Sequence, residues 1–103
     1  MKYIGNAFSP SMLKSDMASV TFKRTSFEEA KRYMNDTEVV NALNPRHPST
    51  IEALGLETPT APLTVTLQWG DQLLIVTPRV VDRTGVEREL SIEDLSFTLV
   101  TVH

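Results

Sequence analysis

The sequence predicts an α+β fold, in which a mixed sheet of about five strands is flanked by short helices in a single domain spanning residues 1–103. Residues 63–69 alternate apolar and polar side chains, as a strand with one buried face does. Residues 73–76 are consecutive apolar residues, a pattern typical of a central strand that is covered on both faces. Ser26 and Glu29 have the spacing of a helix capping box.

The N-terminal elements follow from local patterns. Residues 2–6 are predicted to form a short strand. Ser9 followed by Pro10 is typical of a cap and the first position of a short helix. Residues 17–25 alternate and predict a second strand, and a helix through Met34 follows the capping box.

A proline-rich turn within residues 41–54 places His47 at the predicted start of another helix. Ser49 or Thr50 is expected to cap that helix, and Gly55 to end it. The turn would place an imidazole beside unpaired backbone N–H groups, where an anion can bind.

The C-terminal half is predicted to contain mainly strands. We expect residues 63–69 and 72–77 to form a hairpin around a turn at Gly70–Asp71. The remaining segments are expected to be a connector at 56–62, a polar loop at 80–89, one helical turn at 91–95 and a closing strand at 97–102.

Composition narrows the classes of function. The chain has no cysteine and two histidines, which excludes disulfides and thiolate metal sites and argues against a zinc site. We expect no metal, no cofactor, no signal peptide and no membrane-spanning segment, and a cytoplasmic location by default. The net charge of −3 and the scattered basic residues disfavour long nucleic acid and favour a small anionic ligand.

Three groups of residues could take part in a reaction. His47 can transfer protons near neutral pH. Arg79 follows the apolar strand, with Asp82 three residues on, and Asn6 and Ser9 lie in a strand-to-helix turn. Together these residue types could cleave a phosphodiester without a metal.

Each group also has an ordinary structural explanation. His47 could be a surface residue, Arg79 could pair with Asp82 or Asp94, and Ser9 could serve only as a cap. The residue types alone therefore indicate a soluble α+β domain.

Motifs along the chain resemble those of a small family of viral anti-CRISPR ring nucleases, whose members occur in archaeal viruses, bacteriophages and some bacterial genomes. The N-terminal motif is Tyr3-Ile4-Gly5-Asn6-Ala7-Phe8-Ser9-x-x-Met12-Leu13. The others, in matching order, are Asn41-Ala42, His47-x-Ser49-Thr50, Arg79-x-x-Asp82 and Ser96-Phe97.

The resemblance implies a homodimeric hydrolase that degrades cyclic tetra-adenylate, the second messenger of type III CRISPR defence, without a metal. His47 matches the family's general acid, which protonates the departing 5′-oxygen while a ribose 2′-hydroxyl attacks and leaves a 2′,3′-cyclic phosphate. Asp82 falls where the family carries a glutamate near the reacting phosphate. We therefore expect His47 and Asp82 to be the catalytic pair.

The resemblance also implies a set of ligand-binding residues. Arg79 matches the arginine that holds the ligand, and Asn6 and Ser9 match the ligand-facing N-terminal turn. Ser11, which stands where relatives often have asparagine, and Arg46 complete the ligand-binding candidates. If a virus encodes the chain, the expected location is the host cytoplasm.

Two other functions stay open. The protein could sequester a cyclic nucleotide without cleaving it, or it could be a viral interaction protein that regulates transcription or capsid assembly.

Overall fold

A computed structural model describes residues 1–61, 63–78 and 91–103. The strands in these ranges are β1 (Lys2–Gly5), β2 (Val20–Thr25), β3 (Val39–Asn41), β4 (Gln72–Pro78) and β5 (Leu95–Val102). The helices are α1 (Phe27–Met34) and α2 (Pro48–Leu54), and 3-10 helices span Pro10–Met12 and Ile92–Asp94.

The strands form one five-stranded mixed sheet in the order β2-β5-β4-β1-β3. β1 is parallel to both of its neighbours, with Ile4 opposite Asn41 of β3 and Leu74 of β4. β5 is antiparallel to both β4 and β2. The predicted α+β class and mixed sheet are confirmed, and the apolar strand β4 is the middle strand, as predicted.

The sheet is covered on both faces. We call the face against α1 and α2 the helix face and the opposite one the loop face. Buried side chains on the helix face come from the sheet, from both helices and from the turn between β3 and α2: Ile4, Ala30, Leu43, Ile51, Leu74, Val76, Leu95 and Phe97. Those on the loop face include two from the segment before β4: Tyr3, Val65, Leu67, Leu73, Val100 and Val102. The two layers explain why β4 is continuously apolar.

Helix α1 begins at the predicted cap. Ser26 Oγ accepts a hydrogen bond from Glu29 N at 3.2 Å, which satisfies one of the free N–H groups of the first turn. The Glu29 carboxylate lies 3.7 Å from Lys23 Nζ. Near the other end of the helix, the Tyr33 hydroxyl donates to the backbone oxygens of Tyr3 and Gln72 at 2.8 and 3.3 Å, which ties α1 to β1 and β4.

Helix α2 begins earlier than the sequence predicts. Its N-cap is His47 and its first residue is Pro48, so the expectation that Ser49 or Thr50 caps the helix is wrong. Proline is favourable at the first helical position, because its fixed φ suits the helix and no N–H is needed there. Gly55 ends the helix with φ 69°, as predicted.

The predicted hairpin between residues 63–69 and β4 is wrong, because both edges of β4 are already paired, with β1 and β5. Residues 63–69 cross the loop face instead, and only Leu67 forms a bridge there, parallel to Leu13. The alternation has a different cause, since Val65 and Leu67 are buried against the loop face. The turn itself is confirmed: Asp71 N donates to Gln68 O at 3.0 Å, and Gly70 has φ 87°.

Other predictions differ mainly in their bounds. The first strand, the strand within 17–25 and the closing strand are confirmed, and the turns after Ser9 and Ser91 are short 3-10 helices. β3 was missed, because three residues give too little pattern to recognise. The predicted loop at 80–89 lies outside the described residues. Within the described ranges, no helix is long and apolar enough to cross a membrane.

Candidate functional site

Three parallel strands reach the same edge of the sheet with their carboxyl ends. β1 leads into Asn6, β3 leads into the turn before His47, and β4 ends at Pro78. Ligands of α/β sheets often bind outside the carboxyl ends of parallel strands. The topology therefore brings together segments that are far apart in sequence.

Hydrogen bonds join two of these segments directly. Asn6 Oδ1 accepts from the backbone nitrogen of Asn44 at 2.6 Å. Asn44 Oδ1 accepts from Arg46 N at 2.9 Å, and Asn44 O accepts from His47 N at 3.0 Å. The turn that carries Arg46 and His47 is thus fixed to the residue that follows β1.

The start of this turn has a second anchor. Asn41 Nδ2 donates to the backbone oxygen of Glu57 at 2.9 Å, and Asn41 Oδ1 accepts from Leu43 N at 3.1 Å. Leu43 is fully buried in the helix-face core. The backbone between β3 and α2 is therefore held at both ends.

A cavity of about 180 Å³ lies beside Asn6 and Asn44. Its described lining is mostly apolar and consists of Gly5, Asn6, Ala7, Met12, Ala42, Asn44, Leu63, Val65 and Leu73. Sequence reasoning proposed Asn6 but missed the other members as site residues. Asn44, directly before a proline in a turn, could have been found from its tendency to bond nearby backbone N–H groups.

The His47 side chain is exposed at the start of α2 and makes no cap hydrogen bond. It is not among the described residues that line the cavity. Arg46 is exposed as well. Both side chains therefore face solvent from a fixed backbone, where an incoming anion can reach them.

Ser9 and Ser11 lie together at the N-terminal turn, with their Oγ atoms 2.9 Å apart. Ser9 occupies the N-cap position of the 3-10 helix Pro10–Met12, yet its side chain makes no cap hydrogen bond. Capping is therefore not the role of this hydroxyl. The two serines form a small polar group on the segment that follows Asn6.

Arg79 and Asp82, the predicted phosphate-holding cation and second catalytic residue, lie outside the described residues. Arg79 directly follows Pro78 in the chain, at the end of β4. Within the described ranges, no three acidic, histidine or cysteine side chains come together in a metal-binding group. The described part of the site thus consists of neutral amides and hydroxyls, one arginine and one histidine.

The fold and site define a small α+β protein, with a five-stranded mixed sheet and a polar cluster at the carboxyl ends of its parallel strands. Its structure is similar to that of B116 of Sulfolobus turreted icosahedral virus, with a TM-score of 0.71 and 21% sequence identity over 97% of each chain. No family model matches the sequence. No curated protein matches it either. The likeness to B116 is one of fold, and it extends over nearly the entire chain.

Proposed function

We propose that this protein is a ring nuclease, a metal-independent phosphodiesterase that cleaves cyclic tetra-adenylate and thereby antagonises type III CRISPR signalling. The observation that supports this most is the 2.6 Å hydrogen bond between Asn6 Oδ1 and Asn44 N. It joins the N-terminal motif to the turn between the Asn41-Ala42 and His47-x-Ser49-Thr50 motifs, although Asn6 and Asn44 are 38 residues apart in sequence. The shared fold with a viral protein supports a viral origin.

The chemistry needs little from the protein. A ribose 2′-oxygen attacks the adjacent phosphorus, the bond from phosphorus to the 5′-oxygen breaks, and a 2′,3′-cyclic phosphate forms. The attacking hydroxyl loses its proton to solvent or to a nearby carboxylate, for which Asp82 is the candidate. The imidazolium of His47 donates its proton to the departing 5′-oxygen. Alignment of the nucleophile, which is built into the ligand, contributes much of the acceleration.

The other candidates bind the ligand. Arg46 and Arg79 neutralise phosphate charge, and the Ser9 and Ser11 hydroxyls and the Asn6 amide supply neutral hydrogen bonds. The protein acts as a homodimer, since a ring with repeated identical nucleotides suits a two-fold axis that presents each group twice.

The test is to incubate the protein with cyclic tetra-adenylate in the presence of a chelator and to identify the products by mass spectrometry. We expect linear products with 2′,3′-cyclic phosphate ends. His47→Ala is expected to lower the rate by roughly 10²–10⁴-fold, the usual contribution of a general acid, while largely preserving ligand binding.

The matched control is His103→Ala. His103 lies at the other end of the chain, where its Nε2 is 2.8 Å from Thr21 Oγ1. This variant is expected to cleave as fast as the unmodified protein. Equal rates in the His47 and His103 variants would contradict the proposed role of His47.

The second candidate is a protein that sequesters the ring without cleaving it. The observation in its favour is the exposed imidazole of His47, which has no hydrogen bond among the described residues to orient it. In that case the ring is recovered intact after prolonged incubation with excess protein, and His47→Ala changes only the affinity.

A further inference from the structure

We propose that the cavity beside Asn6 and Asn44 is a base-binding subsite that takes one adenine ring of the ligand. The identity of the base rests on the proposed function, whereas the size, the apolar lining and the hydrogen-bond donors that suit an aromatic ring with acceptors come from the cavity itself.

The cavity has a volume and an apolar lining that suit an aromatic ring. Met12, Leu63, Val65 and Leu73 supply apolar surface around a space of about 180 Å³. An apolar cavity of roughly 150 Å³ is large enough to bind benzene. Four of the nine described lining residues are these apolar side chains, so a base would exchange water for apolar contacts on entering.

The polar groups of the cavity are hydrogen-bond donors. Asn6 Oδ1 and Asn44 Oδ1 are both engaged, with the backbone nitrogens of Asn44 and Arg46. These bonds fix which way each amide is turned and leave its NH₂ group with no partner among the described residues. Adenine carries several ring nitrogens that accept hydrogen bonds, and partly buried donors gain most from such acceptors.

Gly5 keeps the cavity open on the side of β1. A Cβ atom at this position would lie 3.3 Å from Leu73 Cδ1 and 3.9 Å from Ala42 O. Any larger side chain would therefore crowd the wall where Leu73 and Ala42 meet. Glycine at the end of β1 leaves that space available to a ligand.

The subsite also has a geometric consequence for the reaction. Asn44, which lines the cavity, belongs to the same turn as Arg46 and His47. A base held beside Asn44 would bring its own ribose and phosphate toward that turn. The cavity would then set which phosphodiester of the ring lies near the imidazole.

The test uses adenosine, which has the base but no phosphate. Amide ¹⁵N–¹H spectra of the protein follow the side-chain NH₂ signals of Asn6 and Asn44 during titration. We expect both signals to shift with adenosine and neither to shift with ribose alone. At least one of the deaza-adenosines that replace N1, N3 or N7 with C–H is expected to bind roughly tenfold more weakly, as the loss of one hydrogen bond predicts.

Two variants examine the cavity directly. Ala42→Leu fills the space and is expected to abolish the shifts. Asn44→Asp keeps an oxygen to accept from Arg46 N but replaces the NH₂ donor, so it is expected to weaken adenosine binding and to remove the discrimination against the deaza analogue. Asn35→Asp, on the exposed end of α1, is the matched control and should bind adenosine normally.

The outcomes separate this inference from the proposed function. Adenosine binding that Ala42→Leu or Asn44→Asp abolishes supports the subsite, even if the ring is never cleaved. The subsite is overturned if adenosine leaves both asparagine signals unchanged, or if both variants bind it normally. Ring cleavage by His47 chemistry could still occur in that case.

Discussion

Asn6 Oδ1 and Asn44 N, 38 residues apart in sequence, are joined by a hydrogen bond of 2.6 Å. The first belongs to the residue that follows β1, and the second lies in the turn that leads into α2. One side chain thus couples the two segments that carry most of the candidate site. The position of His47 depends on this bond as well as on the local proline turn.

Asn6→Ala should destabilise the protein. It removes the acceptor for the partly buried Asn44 N–H, and the expected loss is roughly 1–2 kcal/mol in the free energy of unfolding, measured by urea denaturation. Asn6→Asp retains an oxygen in the same place and should lose less. Asn35→Ala, at an exposed position, provides the control. If Asn6→Ala and Asn35→Ala cost the same, the bond does not hold the turn.

Tyr33 is expected to make the stability depend on pH at alkaline values. Burial raises the pKa of the Tyr33 phenol above its ordinary value of 10.0. The unfolded chain therefore loses this proton at a lower pH than the folded chain. Stability from this group is fully present below pH 10.0 and is lost as the pH rises toward the folded-state pKa.

Tyr33→Phe tests this expectation. The variant should be less stable at neutral pH by about 1 kcal/mol, because two backbone acceptors lose their donor. Its stability should then fall less steeply than that of the unmodified protein above pH 10.0. Urea denaturation at a series of pH values measures both effects. Parallel curves for the two proteins would show that Tyr33 does not contribute to the pH dependence.

Hydrogen exchange should distinguish the observed path of residues 63–69 from a hairpin. Leu67 N donates to Met12 O at 2.6 Å, and Lys14 N donates to Leu67 O at 3.0 Å. The Leu67 and Lys14 amides should therefore exchange slowly, whereas the exposed neighbour Thr66 should exchange quickly. A hairpin with β4 would instead protect amides in an alternating pattern along the segment, which exchange followed by NMR would reveal.

Local signals predicted much of the fold. The Ser26 cap, the Gly55 helix end and the apolar strand β4 each depend on a few neighbouring residues, and the structure confirms all three. Pairing between strands depends on the entire chain. The alternation of residues 63–69 indicates one buried face, but it does not indicate whether that face belongs to a strand of the sheet or to a segment crossing over it.

The candidate site was predictable only in part, because local signals mark its turns but not the contacts between distant segments. Asn6 and His47 were proposed from their turns, but the bond through Asn44 follows from the parallel placement of β1 and β3. The cavity combines residues of β1 and β4 with others between the strands, such as Val65. No local periodicity marks residues that share a cavity, so its walls emerge only from the three-dimensional structure.

The order of the sheet has a consequence for how the chain reaches its native state. β2 pairs with β5, so Val20 meets Val102, and β1 pairs with β4, so Lys2 meets Gln72. Pairing between strands that are this far apart in sequence makes folding slow compared with that of helical proteins of similar size. β2, which contains Phe22, is an edge strand of the folded sheet, and until β5 has been synthesised both of its edges are free. Lys23 and Arg24, both exposed on that strand, are placed to discourage nascent chains from pairing with one another during this delay.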